Sequence, residues 1–133
     1  MLNDGTPLDR RNAGSRQWLP IALLVGYLAV WFTATHLPHV PGPPGPASWD
    51  KAAHFAGYAV LAALLWWNAN RLGQTGMVLI WVLVALVAII GGVDEWTQGF
   101  VPGRHAEWQD WYADLLGAVT GLLVAGAVSR FLR

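Results

Sequence analysis

The chain contains no cysteine, which excludes disulfide frameworks, thiolate metal sites and cysteine nucleophiles together. Charge is scarce as well. Asp, Glu, Lys and Arg make up 12% of the 133 residues, about half the roughly 25% of a soluble globular domain. That is too little to coat a soluble surface. Eight acids balance eight bases, so no positive excess is available to neutralise phosphates, which argues against nucleic-acid binding. The length allows one domain and excludes a multidomain enzyme. What the chain has in abundance is hydrophobic surface, at 55%, with nine Trp and 15 Gly. Trp anchors helices at membrane interfaces and Gly lets helices approach, so the composition is that of a membrane protein.

A bilayer core about 30 Å thick needs roughly 20 mostly apolar helical residues. Trp18–Thr35 and Met77–Val93 carry no charge and meet that requirement. Trp111–Phe131 meets it with Asp114 near its start and Arg130 near its end. Phe55–Trp67 is too short alone and spans only if its helix begins near Asp50 and runs to about Asn68, which puts Lys51, His54 and Tyr58 on its first turns. The expected fold is therefore all-α, a four-helix transmembrane bundle. Trp18–Thr35 has a basic flank, but it is long and lacks a clear small-residue cleavage site, so it reads as an uncleaved span rather than a signal peptide.

With the N-terminus inside, Arg10, Arg11, Arg16, Arg71, Arg130 and Arg133 are cytoplasmic, and only Lys51 and Arg104 lie outside. This bias predicts that both termini are cytoplasmic. Residues 1–17 read as a cytoplasmic N-terminal tail without structure of its own, and 18–133 as the transmembrane domain. The first external loop, His36–Ser48, holds five of the eight prolines and is expected to be extended. The second, Asp94–Asp110, is polar, with turn signals at Gly99, Pro102 and Gly103. The short internal loop Asn68–Gly76 predicts that the second and third helices are antiparallel neighbours.

This topology gathers scattered polar residues at one end. Asp50, Lys51 and His54 open the second helix, Asp94, Glu95 and Gln98 close the third, Arg104 follows, and Asp110 and Asp114 open the fourth. Helical spacing puts 51, 54 and 58 on one face and 110, 114, 117 and 121 on another. Six of the chain's acids (Asp50, Asp94, Glu95, Glu107, Asp110, Asp114) then face two bases. Protonated His54 or His105, raised carboxylate pKa values, a divalent cation or water in the loop are the candidates to offset them.

Three blocks resemble the VanZ-like membrane proteins, named after a teicoplanin-resistance protein. They are D-K-x-x-H-x-x-x-Y (Asp50, Lys51, His54, Tyr58), D-E-x-x-Q-x-F-x-P-G-R (Asp94, Glu95, Gln98, Phe100, Pro102, Gly103, Arg104) and D-x-x-x-D-x-x-G-x-x-x-G (Asp110, Asp114, Gly117, Gly121). The resemblance covers roughly residues 18–128. Family members often carry Asn where this chain has Asp114. The resemblance implies a small four-helix protein, multi-pass in the bacterial cytoplasmic (inner) membrane, and an association of some members with lipoglycopeptide resistance. It implies no established activity.

Each feature also has a plainer reading. Asp50 and Asp110 sit where N-caps belong, Lys51 can pair with an acid or snorkel, and Gly117, Gly121 and Ala125 form a packing ridge. Trp18, Trp31, Trp49, Trp66, Trp96, Trp108 and Trp111 read as an interfacial belt. His54, Glu95 and Asp114 are costly to keep in a membrane and are the functional candidates, catalytic if the protein is an enzyme; their plain reading is a hydrogen-bond network that fixes packing. Arg104 can clamp a carboxylate or phosphate, or close its loop onto Asp110 or Glu107.

The preferred expectation is an extracytoplasmic pocket formed by Lys51, His54, Tyr58, Asp94, Glu95, Gln98, Arg104, Asp110 and Asp114. It would bind membrane lipids, a lipid-linked cell-wall precursor or a lipoglycopeptide, with no cofactor other than an optional divalent cation. The alternative is an enzyme acting on an outer-leaflet headgroup with His54 as acid or base and Glu95 or Asp114 orienting it. It lacks a recognisable nucleophile. A proton or cation path is disfavoured because the acids gather at one end only.

Overall fold

The computed structural model describes residues 7–38 and 48–131 of the chain. Four helices follow one another: α1 (Pro7–Thr35), α2 (Ser48–Arg71), α3 (Met77–Gln98) and α4 (Trp108–Phe131). Three contain stretches long and apolar enough to cross a membrane, Trp18–Thr35, Met77–Gln98 and Trp108–Phe131. The 24 residues of α2 rise about 36 Å, ample length for a bilayer, but polar residues at both ends dilute its apolar centre, as the sequence suggests. The helix α1 begins at Pro7, so residues 7–17, expected to lack structure, continue the first helix. Most of the proline-rich segment, 39–47, lies outside the described residues, as does Arg133.

The bundle wears its apolar side chains outward. Val78, Trp81, Ile89, Leu116 and Leu123 are more than 60% exposed, while the buried hydrophobic core is small: Tyr58, Leu61, Ala62, Leu83, Val87, Ala118 and Leu122. An apolar exterior of this extent suits lipid and not water.

The closest packing is between α2 and α4, and its cause is glycine. A Cβ on Gly117 would run into the carbonyl of Phe55, and one on Gly121 into that of Ala59. Without those atoms the two backbones touch. Contacting pairs rise together along both helices (Lys51 with Asp110, His54 with Asp114, Phe55 with Gly117, Ala59 with Gly121), so α2 and α4 run parallel. This corrects one expectation. The helices α2 and α3 are antiparallel but touch little, because α4 packs against both. The helix α1 lies antiparallel to α2: the Tyr27 hydroxyl donates to the Gly57 carbonyl at 2.7 Å, and the Asn68 amide to that of Pro20 at 3.2 Å. A Cβ on Gly57 would enter the Trp31 indole, so Trp31 also seats α1 on α2. The alternating directions bring the end of α1, the start of α2, the end of α3 and the start of α4 to one end of the bundle.

Candidate functional site

Three connected groups of polar side chains occupy that end. The first is the most deeply buried. His54 on α2 places Nδ1 3.0 Å from Oδ1 of Asp114 on α4 and 3.8 Å from Oε1 of Glu95 on α3. All three residues are buried, Asp114 completely. The ring of His54 stacks on Tyr58 and meets the edge of Trp31, which fixes its plane. Gly91 on α3 makes room for Asp114, since a Cβ there would lie 2.7 Å from its Oδ2. The two carboxylates are left incompletely paired: Glu95 Oε1 and Asp114 Oδ2 are buried without a hydrogen-bond partner.

The second group centres on Asp94. Its Oδ1 accepts from the Thr35 hydroxyl at 2.9 Å, and its Oδ2 from the Tyr58 hydroxyl at 3.3 Å and the Gln98 amide at 3.1 Å. One carboxylate thus holds α1, α2 and α3 together, with neutral donors on both oxygens. Gln98 passes the connection outward: its Oε1 accepts from Nη1 of Arg104 at 3.2 Å, and Arg104 Nε donates to the Leu37 carbonyl. Arg104 therefore closes its loop onto Gln98 and the end of α1, and not onto Asp110 or Glu107.

Nearer the surface, Lys51 Nζ donates to Glu107 Oε2 at 2.9 Å and to Asp110 Oδ1 at 3.1 Å. Asp110 is buried, whereas Glu107 is half exposed. The Glu107 backbone N–H in turn donates to Glu95 Oε2 at 2.9 Å, so the loop before α4 reaches the first group. Asp50 and Asp110 lie inside the first turns of α2 and α4 rather than at the caps. A carboxylate there still favours the positive end of the helix dipole.

Two clefts border the loop before α4 at this end. A polar one of about 160 Å³ is lined by Asp50, Gln98, Gly103, Arg104, His105 and Glu107. An aromatic one of about 190 Å³ lies between α3 and the start of α4, with Gly92, Glu95, Trp96, Ala106, Glu107, Trp108 and Trp111 on its walls. Glu107 lines both. Trp96 and Trp108 are largely exposed, as are Trp18 and Trp49, in keeping with a belt. Trp31 and Trp111 depart from it. Trp31 packs on Gly57, His54 and Tyr58, and Trp111 Nε1 donates to the Ala88 carbonyl at 3.0 Å.

The structure brings together all nine residues expected at the site, though as three groups and not one pocket. It adds Thr35 and His36, whose Nε2 lies 2.8 Å from the Thr97 hydroxyl. The signal for both was a polar pair closing an apolar span that the topology delivers to the polar end. Gly91 and Gly57 left no such signal, because what each accommodates lies on another helix.

The arrangement follows the three sequence blocks closely: the first supplies Lys51, His54 and Tyr58, the second Asp94, Glu95, Gln98 and Arg104, the third Asp110, Asp114 and the glycines that dock α4. No curated protein and no solved structure matches the chain. The VanZ/LLP1 family profile matches residues 6–129, nearly the whole length and further toward the N-terminus than the three motif blocks. With the family's pattern running through every helix of the bundle, the chain belongs to the VanZ/LLP1 family.

Proposed function

We propose that the protein binds an amphiphile of the outer leaflet at the polar end of the bundle, which is the extracytoplasmic end by the distribution of Lys and Arg. The observation that carries this reading is the shared wall of the two clefts. Glu107 borders a polar cleft containing Arg104 on one side and an aromatic cleft of three Trp residues on the other. A molecule with an anionic head and an apolar body meets both surfaces at once. Arg104 spends Nε and Nη1 on Leu37 and Gln98, and its remaining donors suit a phosphate or carboxylate. Lys51 is already committed to Glu107 and Asp110, so Arg104 is the better anchor. Lipid-linked cell-wall precursors and lipoglycopeptides have this chemistry, and binding either one connects the protein to glycopeptide (teicoplanin-type) resistance.

The enzymatic alternative draws support from the 3.0 Å contact between His54 and Asp114, a carboxylate-oriented imidazole. Yet His54 is 2% exposed and enclosed by Trp31 and Tyr58, so a headgroup in either cleft does not reach its ring. Binding is therefore the better reading. Native mass spectrometry of the detergent-purified protein tests it. A co-purified anionic amphiphile, retained without conversion and lost in Arg104→Gln combined with Trp108→Ala, is the expected result. Conversion of that lipid by the wild type alone, or retention in the double variant, overturns it.

A further inference from the structure

Four carboxylates are buried at the polar end, Asp94, Glu95, Asp110 and Asp114, and they are not treated alike. Asp94 receives hydroxyl and amide donors on both oxygens, with His36 Nδ1 3.6 Å from Oδ1, and Asp110 receives the Lys51 ammonium. Glu95 and Asp114 share a single imidazole and each keeps one oxygen buried without a partner. Burying a carboxylate oxygen away from water with nothing bound to it is among the more costly arrangements in a folded protein. The neighbouring Asp94 shows that this fold can satisfy an acid fully where the acid is structural. One ligand atom from each of these three residues lies within 4.8 Å of the other two.

From this geometry we propose that His54, Glu95 and Asp114 form a binding site for one divalent cation of the Zn²⁺ or Mn²⁺ type. Ligand atoms bonded to one such ion at about 2.0–2.2 Å are separated from each other by no more than about twice that distance. The separations of 3.0 and 3.8 Å from His54 Nδ1 fall inside this limit. One imidazole, a borderline donor, with two carboxylates, which are hard donors, suits Zn²⁺ or Mn²⁺, whereas Ca²⁺ and Mg²⁺ prefer oxygen alone. The ion takes Nδ1 of a neutral ring whose proton is on Nε2, and any proton held on Nδ1 is released to solvent as the ion binds. Glu95 also lines the aromatic cleft, which gives the ion its way in. Three protein donors leave coordination positions for water. The site stands independently of the amphiphile reading.

The experiment uses the full chain in detergent, stripped with a chelator and titrated with Zn²⁺ by calorimetry, and with Mn²⁺ by electron paramagnetic resonance. One equivalent per chain is expected, with affinity reduced at least tenfold in both Glu95→Gln and Asp114→Asn. A structural network would predict that the metal-free Glu95→Gln protein melts below wild type. A metal site predicts an equal or higher melting temperature, because the oxygen that the substitution replaces has no partner in the metal-free protein. Should Asp114→Asn fail to fold, pulsed resonance on the Mn²⁺-loaded wild type labelled with ¹⁵N-histidine must show coupling to one imidazole nitrogen. Absence of stoichiometric binding, retention of the ion in Glu95→Gln, or no nitrogen coupling overturns the proposal. So does loss of the ion in Asp50→Asn with retention in Glu95→Gln, which would move the site to the alternative group of Asp50, His54 and Asp110.

Discussion

His54 on α2 and Asp114 on α4 meet at 3.0 Å because the two helices touch backbone to backbone one and two turns further on, at Gly117 and Gly121. The site and the packing ridge are one construction. Gly121→Ala should therefore destabilise the bundle by about 1–3 kcal/mol, as overpacking does, since its new methyl would meet the Ala59 backbone, which cannot rotate away. Gly126→Ala is the control. Its methyl would make only an ordinary contact with Trp66, at 3.9 Å, and the helix should gain about 0.5–1 kcal/mol. Thermal unfolding in detergent, followed by circular dichroism, compares the two; equal melting temperatures would contradict the α2–α4 contact.

Asp94 joins three helices, so its loss should exceed that of any one donor. In Asp94→Ala the Tyr58 hydroxyl and the Gln98 amide lose a buried acceptor, while Thr35 keeps the Phe32 carbonyl at 3.1 Å. A cost of roughly 2–4 kcal/mol is expected from two unsatisfied donors. Tyr58→Phe removes one long hydrogen bond and should cost about 0.5–1.5 kcal/mol. In the Tyr58→Phe background, Asp94→Ala should cost less than it does alone, because one of the stranded donors is gone. Strict additivity in the double-mutant cycle would show that the two side chains do not interact.

The fold was legible where one helix's own residues determine the outcome. Uncharged runs predict spans, and the faces formed by 54 and 58 and by 110, 114, 117 and 121 are buried in the structure. The motif spacing also places His54, Glu95 and Asp114 at one end. What it does not show is how partners are shared out among them. Whether Asp94 or Glu95 receives the neutral donors depends on how α1 and α2 are turned, and Thr35 on α1 and Tyr58 on α2 both select Asp94. Likewise a short connection between α2 and α3 reads as close packing, but the glycine ridge draws α2 to α4 instead. Trp31 shows the same limit: its position suits a belt, and only the gap at Gly57 on another helix reveals that it is a packing residue.

The Lys51 pairs should be unequal. Removing the ammonium in Lys51→Met leaves Asp110 buried without its cation, and a loss of roughly 1–3 kcal/mol is expected for a charge-assisted hydrogen bond of this kind. Glu107→Gln touches a half-exposed partner, where ion pairs contribute about 0–1 kcal/mol. Unfolding at low and high salt separates them. The Glu107 contribution should fade at high salt, while the Asp110 contribution should persist, because buried charge is poorly screened. A Glu107→Gln loss as large as that of Lys51→Met would place the energetic weight on the wrong acid.

The direction of insertion is testable from the fold and the charge distribution together. Antiparallel helices put the start of α1 and the end of α4 at the same end of the bundle, opposite the polar site. Arg71 and Arg130 lie at that end too, whereas Lys51 and Arg104 are at the other. Basic residues are retained on the cytoplasmic side, so a reporter active only outside that membrane face should stay silent when fused after Arg133. The same reporter inserted between Gly103 and His105 should be active. Moving two arginines from the first helix's flank to the loop before α4 weakens the bias and should produce mixed insertion. Activity at the C-terminal fusion of the unaltered chain would turn the polar end toward the cytoplasm, and an outer-leaflet ligand would then be unable to reach Arg104.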